Sequence, residues 1–231
     1  MASSNVPRIP WAQFSPVFRK RWEQGEHVFI NGETGSGKTD LMLRLMRMRG
    51  YGVFFVSKPR DPILRDPLAR EYAIQNSFNP SHVTPKIMLK ATRGDSTRDE
   101  IGNQAETFAP ALDRIYREGR WTAGFDETLW ISNRLKLADE ISDIAYLGRA
   151  LKLTGLYATQ RPKNFPILIT QNATHAFISK VGHPEDLKTL AYLGSDSDSL
   201  RNGIRALRNK HDFLYLDRSG VLPMVIVNTH E

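Results

Sequence analysis

Gly32-Glu33-Thr34-Gly35-Ser36-Gly37-Lys38-Thr39 is the stretch on which the reading of this chain turns. It has the form G-x-x-x-x-G-K-[ST], the phosphate-binding (Walker A) loop of nucleoside triphosphatases. A short apolar run, His27-Val28-Phe29-Ile30-Asn31, precedes it and reads as a buried strand. Asp40 to Arg49, rich in Leu and Met, follows and reads as a helix closed by Gly50. A chance match of four fixed positions would arise in on the order of one such chain in a hundred, and the strand and helix flanks make it rarer still.

Each residue type in the loop has a chemical reason. Gly32, Gly35 and Gly37 let successive backbone N–H groups turn inward and form a nest for anionic oxygens. The positive end of the following helix adds to that field. Lys38 is placed to reach the β- and γ-phosphates of ATP, and Thr39 to offer its hydroxyl to Mg2+. The nucleotide-binding set is therefore Gly32, Glu33, Thr34, Gly35, Ser36, Gly37, Lys38 and Thr39.

The second chemical landmark is Trp121-Thr122-Ala123-Gly124-Phe125-Asp126-Glu127. A strand ending in two adjacent carboxylates resembles the Walker B element. Asp126 would then hold Mg2+ and Glu127 would polarise the attacking water. Thr122 and Gly124 occupy positions where large aliphatic residues are usual.

The bulk properties bound the answer. The 231 residues suit one α/β domain, and the 40% hydrophobic and 25% charged fractions are ordinary for a globular chain. No apolar run approaches the ~20 residues of a membrane span, and no secretory signal is visible. The absence of cysteine excludes disulfides and Cys-ligated zinc. The net charge is +7, and residues 1–60, with ten Lys/Arg against four Asp/Glu, carry +6 of it. Such a surface is suited to polyanions, nucleic acid among them.

In chain order, residues 1–26 read as an N-terminal arm that docks Ile9, Trp11 and Phe14 to Phe18 in extended form. Its Arg19-Lys20-Arg21-Trp22 suits nucleic-acid contact, a subunit interface or packing beside the nucleotide. Residues 27–231 read as a single motor domain. Further strands are expected at 51–56, ending in Ser57-Lys58-Pro59, and at 86–90, 153–159 and 173–181. The prolines across 59–85 limit that stretch to short helices, and a helix over 99–118 should be interrupted at Pro110. Helices are expected over 135–152 and 184–194, and over 198–208 behind the polar Ser195 to Ser199 loop. Asp212 to Leu216 and Val221 to Val227 flank a hairpin turn. The sum is an α/β P-loop NTPase fold with a mainly parallel central sheet flanked by helices and a C-terminal antiparallel hairpin.

Gly148-Arg149-Ala150-Leu151-Lys152-Leu153-Thr154-Gly155-Leu156-Tyr157-Ala158-Thr159-Gln160-Arg161-Pro162 resembles the FtsK/HerA family of DNA-translocating ATPases, which has a helix with Gly/Ala-Arg-Ala, a strand, then Ala-Thr-Gln-Arg-Pro. A weaker likeness continues through Asn172 to Phe177, where the family often carries an arginine on the strand and this chain has His175. The size leaves room for the motor alone, which resembles the viral genome-packaging branch.

That resemblance implies a homo-oligomeric ring, pentamer or hexamer, hydrolysing ATP at subunit interfaces around double-stranded DNA. A capsid-vertex or portal protein is the implied partner, and the host cytoplasm or the packaging vertex of the virion the implied location. It makes Gln160 the sensor of the γ-phosphate and Arg149 an arginine finger reaching a neighbouring subunit, with Arg161 and Arg134 as the other arginines to weigh. Loops at Arg93 to Arg98 and Asn133 to Lys136 are the candidates for gripping DNA. Two further functions share the core: a Zot-like ATPase of virion assembly and export, which calls for a transmembrane segment, and a P-loop small-molecule kinase, which has no need of Glu127 and Gln160 arranged for water attack.

Overall fold

The structure is a computed structural model and describes residues 6–58, 62–194 and 196–231. In chain order the elements are β1 (Arg8–Pro10), α1 (Trp11–Arg21), β2 (His27–Asn31), α2 (Lys38–Met46), β3 (Gly52–Phe55), β4 (Ala73–Gln75), β5 (Lys86–Leu89), α3 (Thr97–Glu118), β6 (Thr122–Phe125), α4 (Ala138–Leu151), β7 (Thr154–Thr159), α5 (Ile167–Asn172), β8 (Ala173–Ile178), α6 (Pro184–Leu190), α7 (Ser197–Arg205), β9 (Asp212–Asp217) and β10 (Val225–Asn228). Strands alternate with helices and most neighbouring strands are parallel, as expected of this α/β fold.

The chain packs into two compact units. One comprises Gln24–His27 and Thr39–Tyr157, with strand order β7-β6-β3-β5-β4 and every neighbour parallel. Its core is laid out by register. Phe55 on β3 pairs with Phe125 on β6, which pairs with Tyr157 on β7. The three rings stack in series, with centroids 5.1 and 5.3 Å apart. α3 closes this core with Phe108, Leu112 and Ile115, all fully buried. The stretch across the prolines contains 3-10 turns at Pro62–Arg65 and Pro67–Glu71, and also the edge strand β4.

Pro110 does not interrupt α3, which runs unbroken for 22 residues. A helical proline removes the bond to the carbonyl four residues back. Here Pro110 and Glu106 both face solvent, so water can satisfy that carbonyl. The N-terminus is fixed by a capping box between Ser96 and Asp99.

The other unit comprises the described part of Met1–Glu23, with Val28–Lys38 and Ala158–Glu231, and has strand order β1-β10-β9-β8-β2. β9 is antiparallel to both β10 and β8, and β1 adds parallel to β10. Residues 11–21, expected to be extended, form a helix. α1 buries Phe14 and Phe18 against Phe177 and Tyr215, with ring centroids 4.8–5.8 Å apart. Its Pro16 is exposed, as is Ala12 four residues before it, so water can satisfy that carbonyl as well. α7 starts under an Asp196 cap, so residues 197–199, expected to be loop, are its first turn. Ser195 lies outside the described residues, as do Pro59, the last of the Ser57-Lys58-Pro59 that ends the expected 51–56 strand, and residues 60 and 61.

Candidate functional site

The phosphate loop leaves β2 through bonds that fix its direction. The Gly32 amide donates to the Thr159 carbonyl at 3.1 Å, and the Asn31 side-chain amide donates to the same oxygen at 3.4 Å. Within the loop the Ser36 amide donates to the Glu33 carbonyl at 3.1 Å, and Lys38 Nζ donates to that carbonyl at the same distance. Gly35 and Gly37 have φ of +79° and +91°, the conformation a nest of inward amides requires and L side chains avoid. A Cβ at Gly37 would also lie 2.6 Å from His211 Nδ1, and the His211 ring stacks on His230 at 3.7 Å.

Two side chains of the loop are tethered. Thr34 Oγ1 donates to Gln160 Oε1 at 3.0 Å, so Gln160 stands directly beside the loop. Glu33 Oε1 accepts from the Gly182 amide at 3.1 Å, linking the loop to the segment that follows β8. Glu33 thus bonds within the protein through its side chain, while its carbonyl shapes the loop. The carbonyl of Thr159 and the oxygens of Glu33 organise this region through main-chain and long-range bonds.

The acidic pair is built in the other unit. Thr39 Oγ1 donates to Asp126 Oδ1 at 2.8 Å. This closeness is set by packing beneath it. Thr39, Met42 and Met46 recur at three- and four-residue spacing along one face of α2. Gly124 and Asp126 alternate onto one face at the end of β6. A Cβ at Gly124 would lie 2.6 Å from Met46 Sδ and 3.1 Å from Met42 Sδ. The glycine unusual in such a strand is what lets α2 lie close to it.

Asp126 is 3% exposed. Lys58 Nζ lies 3.4 Å from Asp126 Oδ2 and 3.0 Å from Glu127 Oε1, bridging the two carboxylates. Gln104 holds the frame around them. Its Nε2 donates to the Ser57 carbonyl at 3.0 Å, and its Oε1 accepts from Trp130 Nε1 at 2.8 Å. A cavity of about 800 Å³ opens beside Lys58, Glu127 and Trp130.

The donor set suits magnesium. Mg2+ prefers oxygen ligands, keeps several waters and is held by one or two carboxylates together with phosphate oxygens. One hydroxyl and one carboxylate, already 2.8 Å apart, fit that pattern. Among the described residues there is no cluster of three or more His, Cys, Asp or Glu able to cage a metal alone.

Of the arginines, Arg149 is exposed on the last turn of α4. Arg161 is committed to buried Asp186 at 3.0 Å, and Arg134 lies over the Trp130 ring at 5.8 Å. His175, at the strand position where the resembling family often has arginine, is a core residue. It is fully buried, within 3.0 Å of the Tyr215 hydroxyl and edge-on to Phe18.

No family model matches the chain, and no curated protein matches it. Among solved structures, the genome-packaging NTPase B204 of Sulfolobus turreted icosahedral virus 2, in complex with AMPPCP, superposes with a TM-score of 0.61 at 12% identity, covering 88% of this chain and 97% of that one. B204 of Sulfolobus turreted icosahedral virus, a DNA-packaging ATPase, gives 0.59 at 14% identity, over 89% and 98%. The pCW3 conjugation coupling protein TcpA, with ATPγS, gives 0.54 at 16% identity, over 89% of this chain and 60% of that one.

The fold is that of a P-loop NTPase. Within that P-loop NTPase fold, Lys58, Gln104 and Trp130 are the neighbours of the acidic pair that sequence reasoning did not single out. The polar Ser57-Lys58 at the end of an apolar strand is all the sequence offers; that this strand lies parallel to and next to the acidic one is seen in the fold.

Proposed function

We propose that this chain is an ATP-hydrolysing motor that translocates double-stranded DNA and packages a viral genome into a preformed capsid. The observation that carries the proposal is the Thr39–Asp126 bond, which sets a hydroxyl directly after the phosphate-loop lysine against a strand-end carboxylate. The likeness of fold to packaging NTPases supports it.

In this reading residues 27–231 form the motor, and the phosphate loop Gly32 to Thr39 cradles the ATP phosphates. Lys38 neutralises the β- and γ-phosphates. Bound Mg2+, held by Thr39 and Asp126, supplies charge stabilisation at the phosphate oxygens. Glu127 accepts the proton of the attacking water, and Gln160 reports the γ-phosphate to the loop through Thr34. Arg149 acts in a neighbouring subunit's site, since Arg161 is already engaged by Asp186. The assembly is a pentameric or hexameric ring on duplex DNA, docked at a capsid vertex or portal, in the host cytoplasm and at the packaging vertex. Among the described residues no helix is long and apolar enough to cross a membrane.

The test is steady-state ATP turnover with and without double-stranded DNA, combined with electron microscopy in a non-hydrolysable ATP analogue. Stimulation by duplex of any sequence and rings with a duplex-wide channel are expected. Turnover indifferent to DNA would refute translocation while leaving ATP hydrolysis standing.

A further inference from the structure

We propose that Lys58 is a positioning residue that holds the place of the divalent cation at the acidic pair and gives way when the cation arrives. The proposal rests on the reading of Asp126 as a metal ligand and Glu127 as the group that orients water. Asp126 Oδ1 is occupied by Thr39, and its Oδ2 faces Lys58 Nζ at 3.4 Å. The same ammonium reaches Glu127 Oε1 at 3.0 Å. Two consecutive carboxylates at a strand end repel each other, one of them almost fully buried, and a single ammonium between them relieves that repulsion.

A divalent cation on Asp126 would oppose an ammonium on the same carboxylate. At such distances like charges repel strongly in a partly buried site. Metal loading therefore expels Nζ from Asp126. Because Nζ also grips Glu127, the same movement breaks the Lys58–Glu127 ion pair. Lys58 thereby parts from Glu127 only once the metal is in place.

The surroundings permit the movement. The Lys58 side chain is 49% exposed, so its stem can swing without repacking the core. The Ser57 carbonyl is held by Gln104, so the backbone stays while the side chain moves. The adjoining cavity also presents Asp95 and Glu100, carboxylates that can receive the displaced ammonium, and it is lined by Trp130 as well.

The test measures metal binding rather than turnover. Mn2+ is titrated by electron paramagnetic resonance into protein saturated with a non-hydrolysable ATP analogue. Lys58→Met keeps the stem and removes the charge, and should bind Mn2+ on the order of tenfold more tightly. Lys58→Arg keeps the charge and should stay within about twofold of the unaltered protein. Mg2+ titrated into the unaltered protein should change Trp130 emission, and the change should be lost in Lys58→Met. Unchanged or weaker Mn2+ binding by a folded Lys58→Met, or no Mg2+-dependent Trp130 change in the unaltered protein, would overturn the proposal. Asp126→Asn separates this failure from that of the underlying reading. If Asp126→Asn binds Mn2+ as well as the unaltered protein, Asp126 is not the metal ligand and the reading of the site fails first.

Discussion

Thr39 and Asp126, 87 residues apart in the chain, are joined by a hydrogen bond of 2.8 Å from hydroxyl to carboxylate. The bond depends on what is missing below it. Gly124 has no side chain, so the Met42 and Met46 face of α2 settles against β6 and brings Thr39 to the strand end.

Gly124→Ala should therefore act on stability and metal binding together. Overpacking of this kind costs about 1–3 kcal/mol, and a chain this long loses roughly 2–4 °C of melting temperature per kcal/mol. Adding Met46→Ala should return part of the loss. A melting temperature unmoved by Gly124→Ala would show that the close approach is not what seats the helix.

Lys38→Ala and Glu127→Gln should fail in different ways. Without Lys38 the phosphate tail loses its counter-charge, so both nucleotide affinity and hydrolysis should collapse. Glu127→Gln keeps shape and metal ligands but removes the base, so ATP should bind and persist. Filter binding and single-turnover hydrolysis separate the two, and normal turnover by Glu127→Gln would assign the water to another group.

Arg149→Ala subunits should bind ATP yet turn it over slowly, by on the order of 10³-fold for an arginine finger. Mixed with Lys38→Ala subunits they should recover activity, because one parent supplies the finger and the other an intact loop. No recovery in rings shown to be mixed would rule out action across the interface.

Asn133, Arg134 and Lys136 are exposed on the turn between the acidic pair and α4. Arg134→Gln with Lys136→Gln should lower DNA-stimulated turnover and flatten the salt dependence of DNA binding, since each lost phosphate contact removes about one unit from that slope. Basal turnover should hold. An unchanged slope with unchanged stimulation would move the DNA contact to Arg93–Arg98 or Arg19–Arg21.

His27 makes stability depend on pH. Burial is the main cause that lowers its pKa from 6.5 to about 4, and the Gly155 amide donates to its Nδ1 at 2.9 Å. The folded state thus disfavours a proton that the unfolded chain accepts below pH 6.5. Stability from this group is full above pH 6.5 and declines as the pH falls toward 4, by roughly 3 kcal/mol across the window. Melting temperatures from pH 7 to 4.5 should fall more steeply for the unaltered protein than for His27→Gln. Parallel curves would sink the assignment.

Much of the site is legible in the sequence because its chemistry constrains residue type locally. An anion nest needs glycine at positive φ, and a metal ligand at a strand end needs a carboxylate, so Gly35, Gly37, Lys38 and Asp126 announce themselves. Gly148, in the stretch that resembles the FtsK/HerA family, has a local reason too. A Cβ there would lie 2.8 Å from the His27 ring. Lys58 was not legible, because its role comes from two strands being neighbours, and pairing of that kind has no local signal. Pro110 of α3 misled for a related reason. Whether a proline breaks a helix depends on whether water reaches the carbonyl behind it, and exposure is settled only by the fold. Edge strand β4, three residues long, is too short to carry a periodic pattern.

Gln104 has a mechanical consequence. One side chain pins the end of β3, the body of α3 and the turn after the acidic pair, so these three cannot be displaced independently without breaking it. It sits two helical turns into α3, about 10 Å along the axis from the basic Arg93–Arg98 loop at that helix's start. A tug on that loop would load a short, stiff rod, and one of the rod's anchorages is the frame around Lys58 and Glu127. Strain entering at the surface there has a short path, through Gln104, to the turn after the acidic pair.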